Sequence, residues 1–372
     1  MDFQLNETQS MIQEGARRLL ENSFPPEKAR AAEASADGFS LEIWNQMTEL
    51  GWTGAALPEE VGGGGCGNLE LCVLAEELGR AAASTPLVVT AGFAATALQK
   101  VEQNEATQAL LGSLATSDTI ITQALAEPGG RDERSAPTSL FKETAAGGTV
   151  SGTKIMVPFA SAASLLLVSL STSDGELVLA GVESDADGVT VKRHQTLGGD
   201  PLFRVELADV TVSADHVFAR GAEAQRAIDA ALDAATILAT AEAVGNCEKM
   251  VLIGSEYAST REQFGVKIGS FQAVAHPLAN MRIHTDACRL LAAETGWLLD
   301  SGEDAALEVA ATKVFANEVI VEMIHAAHAV HGAIGYTMEY DLQLFTRRAR
   351  AFCLSYGDTE GQTERAAAAL GL

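Results

Sequence analysis

The stretch Arg261-Glu262-Gln263-Phe264-Gly265-Val266-Lys267-Ile268-Gly269-Ser270-Phe271-Gln272 interrupts two long helical periodicities. Before it, Ala231–Thr260 is rich in alanine, with apolar residues recurring at helical spacing; after it, Phe271–Asp300 repeats the pattern. A third such stretch, Asp304–Val330, leads into His331-Gly332-Ala333-Ile334-Gly335-Tyr336-Thr337-Met338-Glu339-Tyr340-Asp341 and then Arg347-Arg348. Upstream, from about residue 121 to 217, the period changes. Short β-branched runs (Thr119–Gln123, Thr149–Val157, Leu165–Ser171, Glu176–Val182, Val189–Arg193, Phe203–Leu207) alternate with turns such as Asp174-Gly175 and Asp187-Gly188. These runs predict a small antiparallel β-barrel or sandwich. The first 120 residues read as helical again, over Leu5–Glu21, Leu41–Leu50 and Leu69–Gly79, with Asn6 placed to cap the first helix and Gln9 three residues on. The result is an α+β chain: a helical domain over 1–120, a middle β domain over 121–217 and a C-terminal helical bundle over 222–372, without a parallel sheet. Gly62-Gly63-Gly64-Gly65 is read as a flexible surface turn, because no lysine-serine or lysine-threonine pair follows to make it a phosphate loop.

Composition narrows the function. Apolar residues make up 47% of 372, which suits a globular chain with a large core, and no apolar run is long enough to span a bilayer. A formal charge of −25 excludes a nucleic-acid binder, which needs basic patches. It also means that any anionic ligand must be met by local arginines. The five cysteines fit no zinc spacing and are read as reduced thiols, and the acidic N-terminus shows no export signal; both point to the cytoplasm. His325, His328 and His331 recur every three residues, but no carboxylate motif accompanies them, so packing is preferred to a metal site.

The Arg261–Gln272 and His331–Asp341 segments resemble the C-terminal half of the acyl-CoA dehydrogenase family. Pro58-Glu59-Glu60-Val61-Gly62-Gly63 and Glu76-Glu77-Leu78-Gly79 resemble its N-terminal helical domain. The resemblance spans essentially the whole chain and implies FAD as cofactor, an acyl-CoA thioester as substrate, and a helical, β and helical-bundle plan. It implies that Arg261, Phe264 and Gln272 contact the FAD of a neighbouring subunit, an arginine fork being suited to a diphosphate. Gly332 and Gly335 remain from the second motif, as places where backbone can approach a cofactor, although Ala329 and Ala333 stand where relatives have glutamine and glycine.

Other family positions are altered. The flavin-touching segment reads Ala126-Glu127-Pro128-Gly129-Gly130-Arg131-Asp132, with arginine in place of serine. A second segment reads Met156-Val157-Pro158, where proline brings neither a hydroxyl nor an N–H. The usual base, a glutamate after tyrosine, is replaced by Gly357 in Tyr356-Gly357-Asp358-Thr359. The alternative base position of some relatives falls on Ala235. Glu242 lies two turns further along that helix, roughly 10 Å away, in the apolar stretch Leu238–Val244 where burial would raise its pKa. It is the candidate base if this chain supplies one, the alternative being a partly solvated or paired glutamate at an interhelix contact. The resemblance therefore implies the base-lacking, non-catalytic type of subunit of a heteromeric dehydrogenase, a heterotetramer of two dehydrogenase-like chains of the kind acting on lipid or steroid thioesters. Such a subunit lends Arg261, Phe264 and Gln272 to the partner's FAD while its own β domain stays empty and the partner completes the site. A self-sufficient homo-oligomer with a relocated base and a non-catalytic CoA-thioester-binding scaffold are the alternatives.

Overall fold

The computed structural model describes residues 4–372. Six helices open the chain: α1 (Glu7–Ser23), α2 (Pro26–Ala34), α3 (Leu41–Glu49), α4 (Asn68–Arg80), α5 (Ala95–Gln99) and α6 (Glu105–Thr116). Asn6 caps α1 through a capping box, its side chain accepting from Gln9 N while the Gln9 side chain accepts from Asn6 N. A π-helical segment, Val88–Ala94, runs into α5. Such segments are frequent at functional sites.

Eight strands follow: β1 (Ile121–Ala124), β2 (Leu140–Thr144), β3 (Gly147–Pro158), β4 (Leu165–Ser171), β5 (Leu177–Glu183), β6 (Val189–Arg193), β7 (Leu202–Ser213) and β8 (Val217–Arg220). They form one sheet in the order β6-β7-β3-β2-β4-β5-β8, with β1 also on β4. The wholly antiparallel expectation is corrected at β4, which pairs in parallel with β1 (Ile121↔Leu165) and with β2 at Leu140↔Ser171. β1 arrives from the helical domain rather than from a hairpin, so nothing forces it to run antiparallel. The strands form an open sheet order rather than a closed ring.

Five helices complete the chain: α7 (Gly221–Thr260), α8 (Gln272–Ser301), α9 (Ala306–His331), α10 (Leu342–Phe352) and α11 (Thr359–Ala369). Between α7 and α8 sits a two-stranded hairpin, β9 (Glu262–Gln263) and β10 (Val266–Lys267), which the helical reading of this region missed. Both of its central residues, Phe264 and Gly265, have positive φ, as a two-residue hairpin turn requires.

The glycine run is not a loose turn. Gly63, Gly64, Gly65 and Cys66 donate their backbone N–H groups to the carbonyls of Pro58, Gly54, Leu57 and Ala55. A Cβ on Gly63 would lie 2.1 Å from the Leu57 carbonyl oxygen. These glycines are required by close backbone approach, which composition alone hides.

Candidate active site

Position along α7 is set by its crossing with α4. A Cβ on Gly79 would fall 1.8 Å from the Glu242 carbonyl oxygen, and one on Gly245 would fall 1.9 Å from that of Glu76. The two backbones touch there, so the helix turn bearing Glu242 has one available depth. From that turn Glu242 lines a cavity of about 130 Å³. Val88 and Val89 of the π-helical segment, Phe159 and Phe352 make its apolar wall. Asp200, Asn246 and Arg348 add polar groups. Burial pushes the Glu242 carboxyl up to about 7, with Arg348 opposing and Asp200 reinforcing the rise. Burial likewise raises Asp200, against the pull of Arg348. A carboxyl of this pKa takes and releases protons near neutrality, as a general base must.

The two positions that carry the base in relatives cannot do so here. Gly357 has φ +92°, and a Cβ on it would lie 2.7 Å from Gln362 Nε2, so a side chain there would be strained and would have to displace Gln362. Ala235 is buried where Gly92 of the π-helical segment packs on it. Asp358 is committed elsewhere: it accepts from Gly361 N at 2.8 Å as the N-cap of α11 and pairs with Arg131 at 3.4 Å. The turn from Phe352 to Gly357 is held from below by Lys313, fully buried, which donates to Phe352 O at 2.9 Å and Asn317 Oδ1 at 2.5 Å and lies 3.8 Å from the Phe352 ring centre. Burial without an acidic contact pulls its ammonium down to about 7.

Pro158, Leu202, Ser355 and Tyr356 line both this cavity and an adjoining crevice of about 300 Å³ between the sheet and the bundle. One wall is the 126–135 segment, anchored by Glu127. That carboxylate pairs with the fully buried Lys154 at 2.6 Å and accepts from Thr138 N and Ser139 N. Burial would raise Glu127, but these bonds overcome it and bring it down to about 2. The segment's outer arm is tied to the bundle: Arg131 pairs with Glu364 at 2.7 Å, and Arg134 binds Asp229 and Asp233. On the opposite wall β3 is bulged between Lys154 and Val157, and both Met156 and Phe159 have positive φ. Strain of this kind persists where surrounding structure over-determines it and clusters at functional sites.

The resemblance would place a flavin ring in this crevice. Gln123, buried on its wall, keeps Oε1 without a partner, an acceptor available to a ligand N–H. The crevice holds fewer donors than the resemblance leads one to expect. Pro158 presents no N–H, its carbonyl is already used by Thr122 Oγ1 at 2.7 Å, and Arg131 is engaged with α11.

Arg261, Phe264 and Gln272 lie far from that cavity in character. All three are exposed, on or beside the β9–β10 hairpin, and Phe264 is 93% exposed. The Arg261 side chain makes no ion pair or hydrogen bond among the described residues. α8 continues the surface with exposed Ile283, Leu290 and Trp297, a row that a solvated helix would not carry. Gly332 caps α9 at φ +63° with open space around it. Gly335 is buried instead, 3.0 Å from the His331 Cβ by its own would-be Cβ, so packing accounts for it. His328 meets Thr346 Oγ1 and stacks on Tyr336, His331 meets Ala327 O and stacks on Tyr257, and no metal-binding cluster occurs among the described residues. Sequence reasoning missed Arg348, Asp200, Asn246 and Lys313; the Arg347-Arg348 pair is visible in the sequence, but nothing in it tells which arginine turns inward.

Residues 6–118 match the acyl-CoA dehydrogenase N-terminal domain and residues 225–371 its C-terminal domain. The chain is 27% identical to "Probable acyl-CoA dehydrogenase YngJ" of Bacillus subtilis over 97% of both. Its fold superposes on the ChsE4-ChsE5 complex from Mycobacterium tuberculosis with a TM-score of 0.90 at 27% identity, covering 100% of this chain and 99% of that one. A variant of the Tcur3481-Tcur3483 steroid acyl-CoA dehydrogenase gives a TM-score of 0.89 at 29% identity over 98% of both chains. The protein belongs to the acyl-CoA dehydrogenase family of FAD-dependent oxidoreductases. Its cofactor is FAD and its reaction class is dehydrogenation of an acyl-CoA thioester. No helix among the described residues is long and apolar enough to cross a membrane.

Proposed function

We propose that this chain is one subunit of a heteromeric acyl-CoA dehydrogenase, a heterotetramer with a second dehydrogenase-like chain, and that it supplies the base from Glu242. The observation that carries this is the place of Glu242, a half-buried carboxyl on the wall of a cavity that shares four lining residues with the crevice, where desolvation raises it to about 7. The acyl group enters past Pro158 and Tyr356 and lies along Val88, Val89 and Phe159. Glu242 removes the α-proton and holds it on its carboxyl. FAD, when bound, accepts the β-hydride, which leaves a double bond between the α- and β-carbons. The apolar wall excludes water, and Arg348 keeps enough of Glu242 ionised at neutral pH for it to act.

The partner completes the site. Its equivalent of the Arg261 hairpin would add the diphosphate contacts that this crevice lacks, while Arg261, Phe264 and Gln272 of this chain do the same for the partner. The heteromeric steroid-type neighbours and the exposed apolar row on α8 support a partner of this kind. The setting of this reading is a cytoplasmic enzyme of lipid or steroid thioester breakdown, for which the steroid acyl-CoA dehydrogenase neighbour supports the steroid class. A second reading, in which this crevice stays empty and the chain only lends its hairpin, is favoured by Pro158 and by the Arg131 bridge. Purification of the chain alone and co-expressed with its partner, with FAD counted per chain, tests both. The proposal expects weak retention alone and flavin in this chain's crevice once the partner is present. One FAD per chain in a homomeric preparation would overturn the heteromer.

A further inference from the structure

Arg347 and Arg348 are neighbours with opposite fates. Arg347 donates twice to the Glu33 carboxylate at 2.8 Å and once to Leu197 O at 2.8 Å. Arg348 is only 6% exposed, lines the cavity, and leaves its Nε and one terminal nitrogen without an acceptor. A guanidinium cannot shed its charge when buried, so unmet donors on it are costly. On the same cavity wall Asn246, 3% exposed, donates through Nδ2 to the Glu242 carbonyl at 3.1 Å and leaves Oδ1 unpaired. Glu242 and Asp200 line the cavity too, yet neither forms an ion pair with Arg348. Unmet donors and an unmet acceptor thus sit on two residues that line one small, largely apolar cavity.

We propose that Arg348 and Asn246 form a receptor for a hydroxyl group carried by the acyl chain of the substrate. The inference rests on the reading that this cavity takes the acyl group. A hydroxyl accepts from the guanidinium and donates to Asn246 Oδ1, so it meets both needs at once. A carbonyl accepts only and leaves Asn246 Oδ1 unpaired. A hydrocarbon meets neither need, and a carboxylate would bring a third acidic group beside Glu242 and Asp200. Val88, Val89 and Phe352 surround the carbon skeleton on either side of that oxygen. The substrate class is therefore a hydroxylated acyl-CoA thioester, selected because its unsubstituted analogue leaves buried polar groups unpaired.

The test is calorimetric titration of the assembled protein with hexanoyl-CoA and with its 4-, 5- and 6-hydroxy forms, together with turnover of each. At least one hydroxylated thioester is expected to bind about ten- to a hundredfold more tightly than hexanoyl-CoA, the span of a hydrogen bond to a charged group. Arg348→Met should reduce that affinity to the hexanoyl-CoA value. Should this variant fail to assemble, Asn246→Ala carries the same expectation with a partial loss. Absence of any hydroxyl preference in the wild type, or no binding of the hydroxylated probes, overturns the proposal. Equal weakening of all four thioesters by Arg348→Met also overturns it, since that result assigns Arg348 to the thioester carbonyl common to them. Glu242→Gln separates this inference from the one beneath it: lost turnover with the binding preference intact keeps both, whereas normal turnover with the preference intact sinks the base and keeps the hydroxyl receptor.

Discussion

The inner cavity and the outer hairpin treat charge in opposite ways. Around Glu242 the charged groups are half-buried or buried and form no ion pair with one another, and desolvation before all else raises Glu242 to about 7 and raises Asp200. At the hairpin Arg261 and Phe264 stand in solvent on a strained turn, contacting little of their own chain. A buried constellation is finished chemistry awaiting a small ligand. An exposed one with a bulky aromatic at positive φ is, in the proposed heteromer, half of a contact whose other half comes from the partner chain.

That contrast breaks first at the α4–α7 crossing. Gly79→Ala forces a methyl group into the Glu242 carbonyl, and it should destabilise the chain by about 3 kcal/mol while displacing the base. Denaturant unfolding with parallel turnover measures both, and a variant of normal stability would show that the crossing can relax. Next comes the hairpin. Arg261→Ala should weaken flavin retention in the assembled complex by about 1.5–3 kcal/mol without changing the stability of the isolated chain. Unaltered retention would mean that Arg261 faces no cofactor.

A dependence on pH tests the inner region alone. The Glu242 carboxyl is raised in the folded chain above its unfolded value near 4.3, so the folded state holds a proton that the unfolded state has released. Its contribution to stability is complete below about pH 4 and is lost as pH rises through about 7. Glu242→Gln should therefore unfold like the wild type at acid pH but gain roughly 3–4 kcal/mol by pH 8. A gain independent of pH would mean the carboxyl is not desolvated.

Much of this was legible in the sequence, for physical reasons that differ by region. The change of period from helical to alternating and back gave the order of layers, and the runs at Leu165–Ser171 and Val189–Arg193 became β4 and β6 residue for residue. β2 escaped because only Phe141 of its five residues is buried, so no alternation signals it. The parallel partnership of β1 and β4 escaped because periodicity carries no direction. The hairpin motif was readable position by position because a local turn fixes it. The cavity was not, because Asp200, Glu242 and Arg348 come from three separated elements and meet only through packing. Glu242 is singled out in the sequence by the lack of a carboxylate at Gly357 and Ala235 and by its apolar surroundings; Arg348 has no comparable signal.

Two roles stand together at the centre of this reading: Glu242 as the base, and the partner as the chain that completes the flavin site. Their most direct test is turnover of the co-purified complex carrying Glu242→Gln, with FAD counted in the same samples. The expected result is a loss of two or more decades in turnover, roughly the span of a removed general base, with FAD per complex and thermal unfolding unchanged at acid pH. Wild-type turnover with full FAD would contradict it, and would assign the chemistry to the partner chain.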